Sequence, residues 1–76
     1  MEKIYIVVAE TMGTDGEFYS ETYPCKTDKE SYDCACSLIA DMAETMDCAE
    51  DVNPEKDWEL GNEEWWYRVR IDTHEW

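Results

Sequence analysis

Alternating apolar and polar positions near the C-terminus predict a long β-strand over residues 63–72, EEWWYRVRID. Successive side chains of a strand point to opposite faces of its sheet, so the segment has two distinct sides. The first side is apolar and consists of Trp65, Tyr67, Val69 and Ile71. The second side holds Trp66, Arg68 and Arg70. We therefore expect the first side to pack in the core and the second to be exposed.

The N-terminal third predicts a β-hairpin. Residues 3–9 are β-branched and aromatic, residues 10–16 contain the glycines and aspartate typical of a turn, and residues 17–25 form a second strand that Pro24 should end. If Phe18 faces the core, then Ile4, Ile6 and Val8 share its face. The outer face would then consist of Tyr5, Val7, Glu17, Tyr19, Glu21 and Tyr23.

A capping box predicts a helix that begins near Asp28. Thr27 and Glu30 have the spacing at which a hydroxyl and a carboxylate satisfy free N–H groups of the first turn. Apolar residues then recur every three or four positions, which indicates one face packed on the sheet. This stripe consists of Tyr32, Ala35, Leu38, Ile39, Met42, Ala43 and Met46, with Cys36 at its edge.

The order of elements predicts one α+β domain over residues 1–76, with strands and helix in the order β-β-α-β. A small antiparallel sheet would have one amphipathic helix packed on one face. A further short strand is expected at residues 58–60, followed by a two-residue turn at Gly61 and Asn62. Arg68 and Arg70 would face Glu17 and Glu21 across strands and neutralise them.

Charge separates this chain from most small domains. Twenty acidic residues against six basic ones give a net charge of −14 and a pI near 4.1. Such a surface repels nucleic acid and anionic membranes, so direct binding to either is not expected. Two interpretations are open: the acids keep the protein soluble, or they bind a basic partner.

The cysteines favour a reducing compartment. Cys25, Cys34, Cys36 and Cys48 contain no CxxC pair, and no apolar run at the N-terminus predicts a signal peptide or a membrane span. We expect four free thiols in a cytoplasmic protein.

No catalytic or metal site is predicted. Residues 51–59 place oxygen-bearing side chains at alternate positions, as a calcium loop does, but Lys56 occupies the position of the required glycine and Asn62 that of the bidentate glutamate. His74 and the scattered cysteines lack zinc spacing. We find no phosphate loop and no nucleophile paired with a base, so we expect a non-enzymatic protein without a cofactor.

In size, charge and order of elements the chain resembles inhibitors made by phages and mobile elements, including anti-CRISPR proteins and other DNA mimics. The resemblance covers the whole chain and includes no shared motif. It implies a protein that acts in the cytoplasm of a bacterial host. Its carboxylates would occupy the basic surface that a host nucleic-acid-binding protein, such as a CRISPR effector, keeps for DNA or RNA.

The physical basis of such mimicry is competition for lysine and arginine side chains that otherwise bind phosphates. The candidate partner-binding acids lie on the helix and in the segment after it: Glu30, Asp33, Asp41, Glu44, Glu50, Asp51, Glu55 and Asp57. Aromatic side chains would add contacts that exclude water. The aromatic candidates are Tyr19, Trp58, Trp66 and Trp76.

Two alternatives belong to other classes. A homodimeric interaction module would use an apolar outer sheet face, because one helix covers only one side of a sheet. That face would consist of Tyr5, Val7, Tyr19, Tyr23 and Trp66. A weak divalent-metal-binding regulatory module would instead use the oxygens of residues 51–59.

Overall fold

A computed structural model describes residues 2–75. The strands are β1 (Lys3–Met12), β2 (Phe18–Cys25), β3 (Glu59–Gly61) and β4 (Trp66–Glu75). Helix α1 (Asp28–Thr45) follows β2, and a short 3-10 helix (Ala49–Asp51) follows α1. All strand pairs are antiparallel, in the order β2-β1-β4-β3. The predicted α+β class and the element order are confirmed, including the extra short strand.

The central strand β1 sets the register of the sheet. It pairs along its whole length with β4, and a tight connection joins it to β2. In that connection, the Gly13 N–H donates to the Glu17 carbonyl at 3.0 Å, and Gly16 adopts a φ of +82°, which favours glycine. Pro24 does not end β2, which continues to Cys25. Since β2 lies at the edge of the sheet, the missing N–H of proline is tolerated there.

The predicted capping box starts the helix. The Glu30 N–H donates to Thr27 Oγ1 at 3.1 Å, and the Glu30 carboxylate accepts from the Lys26 N–H at 3.2 Å. The carboxylate thus binds the N–H one residue before the cap. After the C-terminal end of α1, Asp47 has a φ of +57°, which turns the chain away from the helix axis.

Small side chains let α1 approach the sheet closely. Ala35, Ile39 and Ala43 are buried against Val7 and Ala9 of β1. The same core includes Leu60, Tyr67 and Val69, with Ile71 and Trp65 packed at its margin. The predicted inward side of β4 is therefore confirmed, whereas Tyr32 and Met46 of the predicted helix stripe are 40% and 41% exposed.

The predicted faces of the hairpin were wrong. Val7 is fully buried and Tyr23 packs against the core, so they lie on the helix side with Tyr5, Tyr19 and Glu21. The opposite side, which α1 does not cover, is called here the open face. It carries the side chains that we expected in the core, namely Ile4, Ile6, Val8 and Phe18. Of these four, Val8 alone is buried, with 6% of its surface exposed.

The physical reason is that both sides of β1 are apolar, so its alternation does not identify the buried one. The pairing with β4 decides it, because Val7 and Ala9 lie opposite Ile71 and Val69. Ala9 also leaves the space that a closely packed helix needs. A shift of one residue reverses every side chain of a strand.

The β3–β4 connection also departs from the predicted two-residue turn, since residues 62–65 separate the strands. Asn62 Oδ1 accepts hydrogen bonds from the N–H groups of Glu64 and Trp65. Gly61 has a φ of +124°, and a Cβ atom there would lie 2.3 Å from the Trp65 carbonyl oxygen. Only glycine fits this position.

Candidate functional site

The candidate acids of α1 lie at exposed positions but have different surroundings. Glu30 is used in the helix cap. Asp33 accepts a hydrogen bond from Lys29 Nζ at 3.0 Å, in a pair that is largely exposed and therefore weak. Asp41 faces a groove toward β2, and Glu44 is exposed near the end of the helix. These four acids thus do not have one common role.

The acids that follow the helix lie in the short 3-10 helix and in the turn after it. Glu50 and Asp51 are exposed in the 3-10 helix. In the turn, the Asn53 N–H donates to Asp57 Oδ2 at 2.8 Å, and the Glu55 N–H donates to Asn53 Oδ1 at 3.0 Å. The Asp57 carboxylate therefore stabilises the turn, whereas Glu55 takes part through its backbone N–H and is exposed.

Tyr32 joins this turn to the helix. Its hydroxyl donates to the Glu55 carbonyl at 3.3 Å, and its ring lies 5.8 Å from that of Trp58. Partial burial raises the pKa of Tyr32, and contact with Cys36 and the nearby charges of Glu55 and Asp33 raise it further. Asp33 of the helix and Glu55 of the turn, 22 positions apart in sequence, therefore both raise the pKa of the same hydroxyl.

The other flank of α1 borders a groove toward β2, called here the β2–α1 groove. Ala9, Thr11 and Tyr67 form its floor. One wall carries Tyr19, Glu21 and Tyr23, and the other carries Leu38, Asp41, Met42 and Thr45. Carboxylates therefore border both flanks of the helix. Tyr19, a candidate contact residue, is 56% exposed in this wall.

The open face has a different character. A row of large apolar side chains crosses it at one end, because Met12 lies opposite both Phe18 and Trp66. Phe18 is 50% exposed, and Ile4 and Ile6 are partly exposed toward the other end. Of the apolar residues that we expected on the outer face, only Trp66 lies here.

Glu10 neutralises the arginines of the open face. Its side chain is only 15% exposed, and it accepts a hydrogen bond from Arg70 Nη1 while Arg68 Nε lies 3.9 Å away. Arg70 Nε also lies 3.4 Å from Asp72 Oδ1. The predicted pairing of these arginines with Glu17 and Glu21 was wrong, because those acids lie on the helix side. The Glu17 and Glu21 carboxylates accept hydrogen bonds from the hydroxyls of Tyr19 and Tyr23 instead.

Sequence reasoning missed three residues: Glu10, Tyr67 as a groove residue, and Ser31. Glu10 follows the apolar run of β1, and only the pairing with β4 places it beside the arginines. Ser31 is fully buried, and its hydroxyl donates to the Asp28 carbonyl at 2.7 Å. Its position four residues before Ala35, on the buried stripe, could have revealed it.

Within residues 2–75, no three His, Cys, Asp or Glu side chains are grouped so that they could hold one metal ion. Asn53 and Asp57, which the weak metal-binding alternative would use, already hydrogen-bond within their own turn. No helix in the described part of the chain is both long and apolar enough to cross a bilayer. The four cysteines are free thiols.

No protein-family model matches the chain, and no curated protein or solved structure matches it either. The candidate residue Trp76 lies outside the described residues.

Proposed function

We propose that the protein is a non-enzymatic inhibitor that binds the basic surface of a host nucleic-acid-binding protein and competes with nucleic acid there. A CRISPR effector is one protein of this kind. The acids on the two flanks of α1 and in the turn after it take the place of phosphates. The partner supplies lysine and arginine side chains.

One observation carries the proposal: Asp33 of the helix and Glu55 of the turn converge on Tyr32. The Tyr32 hydroxyl holds the backbone of the turn through the Glu55 carbonyl at 3.3 Å, so the fold keeps the chain segments that carry these two acids close together. An arrangement fixed before binding loses less conformational entropy on association than acids on a flexible tail. This smaller loss of entropy favours the interpretation that the acids form a binding surface over the interpretation that they serve only solubility.

The distribution of charge supports the same proposal. Both arginines of the chain lie on the open face, where Glu10 and Asp72 offset them. On the helix, Lys29 forms an ion pair with Asp33, and the two side chains are 86% and 61% exposed. An exposed pair of this kind contributes little stability, so a partner's cation can replace Lys29 at small cost.

Competition with nucleic acid tests the proposal. The immobilised protein is used to isolate its partner from a bacterial host at low salt, and labelled DNA or RNA is then bound to that partner. We expect the protein to displace the nucleic acid, as measured by fluorescence anisotropy, and a Phe18→Ser variant of the open face to displace it equally well. A partner that keeps its nucleic acid when saturated with this protein would contradict the proposal.

A homodimer through the open face is the second candidate. The observation that favours it is the contact of the exposed Phe18 with the partly exposed Trp66, beside the partly exposed Ile4 and Ile6 on a nearly neutral surface. The dimer surface expected from the sequence was wrong in composition, since Tyr5, Val7, Tyr19 and Tyr23 lie on the helix side. Sedimentation equilibrium tests it: a dimer should dissociate on dilution, and Phe18→Ser should shift it toward monomer.

A further inference from the structure

We infer that the β2–α1 groove is a binding site for the guanidinium group of one arginine side chain on the basic partner. The inference deepens the proposed function, because it names the contact that this flank of the helix makes. The groove measures about 240 Å³. Pockets that hold small-molecule ligands start at roughly 300 Å³, so this volume suits one inserted side chain better than a metabolite.

The Tyr67 hydroxyl is the observation that points to a ligand. Tyr67 is 95% buried, since only 5% of its surface is exposed, and it forms part of the groove floor. No described residue forms a hydrogen bond with its hydroxyl. Since no fully buried side-chain oxygen or nitrogen among residues 2–75 lacks a partner, this hydroxyl keeps some contact with solvent, and the groove is the solvent-filled space that Tyr67 lines. It offers an oxygen acceptor to whatever enters.

The charges around this hydroxyl are negative. The pKa of Tyr67 is raised to about 12, first by burial and then by its neighbours Tyr23, Glu21, Cys34 and Asp41, of which Glu21 and Asp41 are carboxylates. Glu21 and Asp41 lie on opposite walls, so an inserted cation has a carboxylate on each side. No lysine or arginine within the described chain lines the groove. A cation from another molecule would therefore meet no like charge there.

Arginine fits these walls better than lysine. A guanidinium is flat, carries five donors and is weakly hydrated, whereas an ammonium is a compact and strongly hydrated charge. The Glu21, Asp41 and Tyr67 oxygens can accept several of its hydrogen bonds at once. Tyr19 and Tyr23 line one wall, and aromatic rings of this kind attract a flat cation placed over their faces. Leu38 and Met42 cover the alkyl part of the side chain.

NMR titration of the isotope-labelled protein with N-acetyl-arginine amide, and separately with N-acetyl-lysine amide, tests the inference. We expect the arginine probe to shift the amide signals of Ala9, Leu38, Asp41 and Tyr67, and the lysine probe to bind more weakly. Tyr67→Phe keeps the ring and removes only the hydroxyl, so affinity should fall about fivefold. Asp41→Asn should weaken binding about tenfold or more, because it removes a charge-assisted partner.

Glu63→Gln is the matched control, since it removes one exposed carboxylate of the β3–β4 connection, outside the groove. It should change the affinity less than about twofold. Equal losses from Glu63→Gln and Asp41→Asn, shifts confined to residues near Tyr32, equal binding of lysine, or no binding of either probe would each overturn the inference. The probes need no partner protein, so failure here leaves the competition with nucleic acid as a separate test of the proposed function.

Discussion

The rings of Phe18 and Trp66 lie with their centroids 6.0 Å apart, although their strands flank β1 and do not pair with each other. Met12 of β1 lies between them in register. Trp66 also carries the Arg68 guanidinium 4.9 Å from the centre of its ring. Trp66, which the sequence predicted to be exposed beside two arginines, is therefore partly buried by partners within the chain, and these contacts connect three strands on the open face.

The contact between Phe18 and Trp66 should contribute measurable stability. In a double-mutant cycle of Phe18→Ala and Trp66→Ala, we expect a coupling of about 0.5–1.5 kcal/mol, as for other aromatic pairs. Denaturant unfolding measures it. The control cycle combines Phe18→Ala with Trp65→Ala, whose side chain packs on the helix side, and should show almost no coupling. Equal coupling in both cycles would show that the two faces are not separated as described.

The two faces of the sheet should differ in their response to the same truncation. Ile39 is fully buried between α1 and the sheet, so Ile39→Ala should destabilise the protein by about 2–5 kcal/mol. Ile6 is partly exposed on the open face, and Ile6→Ala should cost distinctly less. Chemical denaturation of both variants compares them directly. A larger loss from Ile6→Ala would mean that another surface covers the open face, as in a dimer.

Part of the structure could be predicted from local patterns in the sequence, and part depends on long-range pairing. The cap at Thr27 and the inward side of β4 could be predicted, because each follows from local spacing or from one unambiguous alternation. The faces of β1 could not, since both are apolar and long-range pairing selects between them. The partnership of Glu10 with Arg70, 60 residues away, depends on that same pairing.

The candidate site was less predictable than the fold. Composition identified the acids, and the bounds of the predicted helix assigned several of them to α1. The sequence could not show that the hydroxyl of Tyr32 connects Glu55 to the helix. It also could not show that Asp41 borders a groove with Tyr67 at its floor. Both relationships need elements that are distant in sequence to pack together.

Tyr67 should make stability fall at alkaline pH. Its pKa is raised from 10.0 to about 12, first by burial. The folded protein thus keeps the proton while the unfolded chain loses it, so stability is unaffected below pH 10 and falls between about pH 10 and 12. The loss is at most about 1.4 kcal/mol per pH unit. Unfolding of the parent and of Tyr67→Phe across this range measures the difference. Identical slopes for the two proteins would contradict a buried, neutral Tyr67.

Thiol chemistry should distinguish Cys34 from the other cysteines. Burial raises the pKa of the Cys34 thiol, and the neighbouring Cys25 thiol raises it further. Because the thiolate is the reactive form, Cys34 should react most slowly in the folded protein. Titration of the unfolded, unreduced protein should find four thiols, and mass spectrometry of partly labelled folded protein should rank them. A Cys34 that is labelled first would contradict its packing beneath β2.

The design of the charge variants follows from the roles of individual acids. Glu30 and Asp57 accept hydrogen bonds from backbone N–H groups, so their removal would disturb the cap and the turn. The helix variant therefore changes Asp33, Asp41 and Glu44 to amides. The loop variant changes Glu50, Asp51 and Glu55. Because both relieve repulsion between like charges, their stability should be unchanged or slightly higher than that of the parent.

The salt dependence of binding to the nucleic-acid-binding partner tests the central claim most directly. Parent affinity should fall steeply as salt increases, and the helix variant should bind more weakly with a shallower slope, because fewer charge contacts form. The loop variant shows how much of the effect its own acids supply. If both variants bind as tightly as the parent, with the same slope, the acidic surface does not imitate phosphates, and the open face around Phe18 and Trp66 becomes the leading interface.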